Sequence, residues 1–553
     1  MKKTIILFLF ISFHGFGQQK INKNEQIYHT AKIWGFLKYY HPIVAQGSFD
    51  WDFQLIQKIQ EVQSPVSKEE FSLSMNSWIR SLGEIKKCLT CEKLDTTTFN
   101  KNLNLSWLKD RNFDITLQES LQNILNNRHQ GFSYYVQVIN YKDDIGVPTF
   151  TNEKSHEEGS LSSRNINLLT LIRYWNTVEY FFPYKYLMGE NWDEILIRNI
   201  PKFKASNSEL ETDLLIRELV TSLDDGHAVY RTHELYKNDG TYHAPVAFSY
   251  IENSLVATEI LNDSLAKIDN WNIGDQVTHI SGKSIEQVFD SIKNEISGSN
   301  YPFKKNSSRF RYMQFTSNST DLTVNRKNEI LNKPFSLFTG PAMNYRNKLD
   351  NISSKIVSTN IGYIDYGKLY KKDINRILSD FKNTKGLIID LRKYPNPNSI
   401  RAFIKIINQI STSSKSSTLE AFSNLNYPGT FIWRENHPQG NKVLKYDKPV
   451  VLLVNSRTLS QGEYLAMTFQ TGDNVYTIGS QTAGADGAIT TIELPNGETT
   501  NFSSFGVFYP NGDITQRTGI RIDEVVYQTV QGIRENRDEI LETGIKYITN
   551  SNK

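Results

Sequence analysis

The run PVVLLVN (449–455) constrains the fold of this 553-residue chain more tightly than any other stretch. It is short, apolar up to Asn455 and rich in valine, the mark of a strand buried on both faces. A polar turn follows, and then the helix-forming QGEYLAMTFQ (461–470). The same alternation surrounds it. NIGYIDYG (360–367), GLIIDLR (386–392) and VYTIGS (475–480) read as strands, and INRILSDFKN (374–383) and SIRAFIKIINQIS (399–411) as helices. This order predicts an α/β core with a mostly parallel sheet wrapped by helices. Ser460 stands where the helix after the strongest strand begins. As an N-cap it would accept a backbone N–H, with Glu463 completing a capping box, a common pattern. As a nucleophile it would sit at the carboxyl edge of a parallel sheet, with helix N–H groups behind it to hold an oxyanion. The stretch alone leaves both readings open.

The chain is too long for one core, and three or four domains are expected. Its net charge of +3 gives no electrostatic case for nucleic acid. The N-terminus, MKKTIILFLFISFHGFGQQK, places two lysines before an apolar run, with Gly15 and Gly17 in a small-x-small pattern. It reads as a signal peptide over 1–17, which implies an exported, periplasmic or secreted protein. No later segment is apolar enough to insert stably in a membrane. The only two cysteines, Cys88 and Cys91, lack the second ligand pair of a zinc site and the βαβ setting of a redox motif, so a local disulfide is expected.

Two segments repeat at an offset of 141. Trp34 matches Trp175, Tyr39 matches Tyr180, Pro42 matches Pro183, and Trp51-Asp52 matches Trp192-Asp193. Helical spacing of the apolar residues predicts two related helical modules, over 18–150 and 160–240, with a polar linker near 151–165. The prolines should end the first helix of each copy. The aromatic pattern is core packing. The copies diverge at the end: SLDDGHAV in the second faces SLGEIKKC in the first, so Lys86 stands where the second has His227. The module is therefore built without that histidine.

Residues 241–335 change character. NWNIGDQVTHISGKSIEQVFDSI (270–292) gives a turn at Gly274-Asp275, a short strand with Val277 and Ile280 inward, a turn at Ser281-Gly282, and a helix face carrying Val288 and Ile292. The segment resembles a PDZ domain, which implies an edge strand able to take an extended peptide.

Over about 165–548 the chain resembles the S41 peptidases, the tail-specific (C-terminal processing) and tricorn-like serine proteases. The motifs that carry the resemblance are, in order, SLDDGHA, IGYIDYG, GLIIDLR, VLLVNSRTLSQGEYLA, IGSQTAGADG, LPNGE, YPNGDITQRTGI and NRDEILETGIKYI. It implies a ClpP/crotonase-like α/β catalytic core over 340–550, with Ser460 as nucleophile. The Ser-Lys branch places a lysine in the stretch that reads TAGADG (482–487) here, and none is present. The tricorn-like branch uses a histidine in a stretch similar to SLDDGHA, which implies His227 as the base; a neutral imidazole needs little tuning for that task. His233 and His243 lack the Asp-Gly turn, His41 lies in the first repeat, and His279 falls on a strand.

Two departures mark this chain. The branch supports its histidine through a serine and a glutamate, and those positions are Gly226 and Gln516 here; Asp225 or Asp224 would have to supply charge. The relatives' DLRxNxGG is DLRKYPNPNS, in which Pro395 has no N–H, so the oxyanion donors would be Gln461 and Asn396. The family's GIxPD is GIRID. The expectation is an exported serine endopeptidase cleaving peptides or protein C-terminal tails, with peptide or unfolded protein as substrate and no metal or cofactor. Its alternatives are a catalytically impaired peptide- or ligand-binding protein on the same scaffold, and an esterase using the same pair.

Overall fold

The computed structural model describes residues 20–551, except 63, 92, 95–97, 141–145, 154, 157–161, 344–351, 398–405, 407–414 and 438–445. The expected signal peptide and nearly all of the helix expected over 399–411 lie outside the described residues. The chain divides into two compact units. One runs to Cys91 and takes in Asn104–His129; the other holds Glu92–Leu103 and everything from Gln130.

The first unit contains the first copy of the repeat. Its helix Lys23–Tyr40 stops at His41, ahead of Pro42, and helices start again at Trp51 and Lys68. In the second unit the helix Ser163–Phe181 stops ahead of Pro183, and helices restart at Trp192 and Glu209, each 141 residues on. One device closes both copies. The Trp34 indole N–H donates to Trp51 O at 2.8 Å while Trp51 donates back to Trp34 O at 3.1 Å. Trp175 and Trp192 make the same exchange at 2.7 and 3.1 Å, with rings stacked 6.2 Å apart. Each indole buries its apolar body and satisfies its one donor on the partner's backbone, so the pair fixes the angle between two helices. A disulfide joins Cys88 and Cys91 in the first unit.

The second unit is mixed α/β. Val246–Ile251, Ser254–Ile260, Gln276–Ile280, Ser319–Arg326 and Glu329–Ser336 form an antiparallel sheet in which Val246–Ile251 is an edge. Gly274 and Gly282 take the positive φ that their turns demand. Val277 and Ile280 are both buried as expected, although three positions apart, because the ladder with Ser319–Arg326 shifts register between them; the helix Ile285–Ile292 seats Ile285 and Phe289 in the core, and Val288 and Ile292 flank it. The apolar stripe is wider than the pair read from sequence, and the larger ring takes the centre.

The second sheet runs in the order Ser354–Val357, Ile361–Asp365, Leu387–Asp390, Val450–Val454, Val475–Gly479, Glu524–Val525. The first pair is antiparallel and the rest parallel. Val450, Leu452 and Val454 pack on one face with Leu465, Met467 and Phe469 of the helix Gln461–Phe469. Val451 and Leu453 pack on the other with Ile540 and Ile548 of the C-terminal helix Glu539–Ser551. Every residue of this strand is buried, and each such side chain contributes about 1.5–3 kcal/mol. The turn at its carboxyl end is pinned to the neighbouring strand, since Thr458 Oγ1 donates to Leu391 O at 3.0 Å. That pin sets where residue 460 can stand.

Candidate active site

Ser460 is the residue before the helix Gln461–Phe469, and its backbone is at φ 52°, ψ −116°. A side chain there is strained by about 1–3 kcal/mol, and such strain gathers at functional positions. Its N–H donates to Ala485 O at 3.1 Å and to Glu463 at 3.2 Å, and its hydroxyl donates to Gly487 O at 3.2 Å.

Glu463 does more than cap the helix. Its Oε1 accepts from the Thr482 hydroxyl at 2.5 Å and Gly484 N–H at 2.7 Å, and its Oε2 from the N–H groups of Ala485 and Ser460. A wholly buried carboxyl thus clamps the serine turn to the loop 482–487. Burial pushes its pKa up while the four donors pull it down, and burial prevails. Asp486, in the same loop, is pushed far up by burial and by Glu463; its Oδ1 accepts Gly487 N–H at 2.6 Å, and its Oδ2 is buried without a partner among the described residues. The sequence predicts only the capping-box half of the role of Glu463, and nothing in it singles out Asp486. The S-x-x-E spacing was the signal for the first; the second leaves no local pattern.

His227 lies in the turn after the helix Glu209–Thr221. Its Nδ1 is 2.9 Å from Ser503 Oγ, and its Nε2 has no hydrogen-bond partner among the described residues. Burial lowers its pKa, against the pull of Asp225. The preceding Gly226 brings this turn against the serine turn. A Cβ on Gly226 would stand 3.0 Å from Ala485 Cβ and 3.5 Å from Leu459 Cδ1, both neighbours of Ser460 by bond or hydrogen bond. A side chain at 226 would require the nearer of these neighbours to give by a few tenths of an ångström.

The other expected residues fall differently. Gln516 is buried, but its Nε2 reaches Ser299 Oγ at 3.3 Å and Asp225 Oδ1 at 3.5 Å, and no bond to the His227 ring is formed. Its Oε1 is a buried acceptor with no partner among the described residues. The Gln461 N–H, at the helix start, has no acceptor among the described residues. The Asn396 N–H is not free: it donates to Tyr366 O at 3.3 Å. The oxyanion role expected of it is therefore not formed in this conformation, because the backbone after Pro395 turns its N–H inward. A cavity of about 380 Å³ opens near the far end of the serine helix, between Met467, Gln470 and Tyr509, and neither Ser460 nor His227 lines it. Among the described residues no three His, Cys, Asp or Glu side chains converge as a metal centre requires, and no helix is long and apolar enough to cross a membrane.

A serine at a strained helix start, clamped by a buried carboxyl and faced by a histidine turn, is suited to acyl transfer. Residues 360–526 match the family model described as Peptidase family S41. No curated protein matches the chain. Among solved structures, mature CPAF complexed with lactacystin is 12% identical, with 70% of this chain and 99% of that chain covered and a TM-score of 0.55. A second structure of mature CPAF is 12% identical, with 71% and 97% covered and a TM-score of 0.54. A photosystem II D1 C-terminal processing protease is 13% identical, with 66% and 94% covered and a TM-score of 0.39.

Proposed function

We propose that this S41 serine-type peptidase is an exported endopeptidase that cleaves peptides or protein C-terminal tails through a Ser460–His227 pair. His227 Nε2 takes the Ser460 hydroxyl proton as Oγ bonds to the scissile carbonyl carbon. The carbonyl oxygen becomes an oxyanion held by the Gln461 N–H at the helix start. The imidazolium then gives its proton to the departing amine as the C–N bond breaks. Water, deprotonated by the same nitrogen, releases the acyl group and restores the serine. Gln516 acts at one remove, through Asp225 and Ser299. The antiparallel sheet with the helix Ile285–Ile292 serves as a PDZ-like grip, adding substrate as a strand beside Val246–Ile251. Export is the reading of the N-terminal sequence.

The observation that carries this is the approach of the Gly226–His227 turn to the strained Ser460 turn through Leu459 and Ala485. A fluorophosphonate probe tests it. Ser460 should be labelled in the folded protein, and His227→Ala should abolish labelling and peptide cleavage. Absence of labelling, or labelling undiminished in His227→Ala, would sink the pair. A binding protein on the same scaffold is the second reading, and the engaged Asn396 N–H favours it. It requires that a peptide library survive wild type and Ser460→Ala alike. Under the peptidase reading, substrate breaks the Asn396–Tyr366 bond, and only Ser460→Ala spares the library. Turnover of esters with no turnover of peptides would mark an esterase instead.

A further inference from the structure

Asp225 is buried two residues before His227, yet its nearest carboxylate oxygen stands 3.9 Å from His227 Nδ1, too far for a hydrogen bond. Ser503 fills the gap. Its Oγ is 2.9 Å from His227 Nδ1 and 2.9 Å from Asp225 Oδ1, and its N–H donates to Asp225 Oδ2 at 2.7 Å. Ser503 is wholly buried, at the end of the strand Thr499–Ser503. That strand is held alongside the histidine segment, because Thr500 Oγ1 donates to Val229 O at 3.0 Å and Thr500 pairs with Tyr230.

We propose that Ser503 and Asp225 are the positioning residues of His227, a relay in which the Nδ1–H donates to the Ser503 hydroxyl and that hydroxyl donates to the Asp225 carboxylate. The inference rests on His227 being the base of Ser460. Its direction follows from the donors. Asp225 Oδ2 faces the Ser503 N–H, and Oδ1 faces the His227 N–H at 3.2 Å and the Gln516 amide at 3.5 Å. N–H groups offer no lone pair, so both oxygens accept. The Ser503 proton therefore points at Asp225, and the Ser503 lone pair at Nδ1. This holds the proton on Nδ1 and leaves the Nε2 lone pair for Ser460. When the imidazolium forms, its charge is met by a carboxylate through one hydroxyl.

The other charged and titratable groups around this turn are engaged elsewhere. Asp224 pairs with Lys304 and Arg517 at 2.8 and 2.7 Å. Tyr174 and Tyr184 face Asp225 from the helix Ser163–Phe181 and the turn after it, each held neutral by burial. Asp225 is thus the one anion that raises the imidazole against burial.

The test uses the full chain, steady-state kinetics on a peptide substrate and the pH profile of kcat/KM. Ser503→Ala should lower kcat at least about 10-fold with KM within about 2-fold, since general-base catalysis as a whole supplies about 10²–10⁴. Asp225→Asn should do the same and also move the acidic limb of kcat/KM to lower pH, because the charge that raises His227 is gone. The double variant should be no worse than the poorer single one. Ser503→Ala removes one oxygen and keeps the backbone bond to Asp225, so it reads the relay even where Asp225→Asn folds poorly. Wild-type kcat in Ser503→Ala, or an unmoved acidic limb in folded Asp225→Asn, overturns the relay. His227→Ala separates the two failures: if it too cleaves normally, the Ser460–His227 reading has failed, and if it alone is inactive, only the relay has.

Discussion

Glu463 meets a donor on each lobe of both carboxylate oxygens: the Thr482 hydroxyl and Gly484 N–H on one, the Ala485 and Ser460 N–H groups on the other. No orientation of a glutamine satisfies that set, because its NH₂ must face a donor whichever way it turns. Glu463→Gln should therefore cost about 3 kcal/mol, the price of burying unpaired polar groups. It should also lower kcat by loosening Ser460. Urea denaturation and single-turnover kinetics measure the two effects, and the clamp is misread if both are unchanged. Residues at this scale were unevenly legible in sequence. The place of Ser460 was legible because a buried strand, a polar turn and a helix start are written in adjacent residues, but its reading as nucleophile rather than cap came only with the resemblance to the S41 peptidases. Ser503 was not legible, since it touches His227 across 276 positions from within an ordinary strand, TTNFS. Neither could the direction of the Asn396 N–H be read, because it is a backbone torsion and not a residue type.

Among the elements, the tryptophan exchange is the repeated part. In each copy two indoles trade their N–H groups for one another's carbonyls, with the same spacing and the same stacking. Trp192→Phe should destabilise the second unit by about 1–3 kcal/mol, through loss of one buried hydrogen bond and of ring volume. Trp51→Phe should do the same to the first unit. Denaturant titration of each variant checks this, and a clear loss in only one copy would show that the two clasps are not equivalent. The repeat was legible because both partners of each clasp lie in one short window. The parallel sheet was legible for a related reason: strands buried on both faces read as unbroken apolar runs. The helix Ile285–Ile292 and the apolar face carrying Val288 and Ile292 were legible, but not that Ile285 and Phe289 hold the centre of the same stripe, which only packing decides.

For the whole molecule, two compact units predict unfolding that is not a single two-state transition. Acid should act on the first unit through His41, whose pKa burial pushes down to about 4. Its Nδ1 accepts the N–H groups of Ile43 and Val44, a neutral arrangement, and its Nε2 is buried without a partner among the described residues. A depressed histidine contributes stability that is present above its unfolded value of about 6.5 and is lost as pH falls toward 4, at most about 3 kcal/mol. His41→Asn should flatten that slope, as denaturation midpoints between pH 7 and pH 4 will show; an unchanged slope assigns the acid sensitivity elsewhere. Ser460 carries a different tension. Its φ of 52° and ψ of −116° lie where glycine rests freely and serine does not. Ser460→Gly should therefore fold at least as stably as wild type, by up to about 1 kcal/mol, while cleaving nothing; a melting temperature several degrees below wild type would contradict this. If Ser460 is the nucleophile, the same torsions that hold its backbone out of the low-energy region aim its hydroxyl, and glycine there would relax the turn while removing the reacting oxygen.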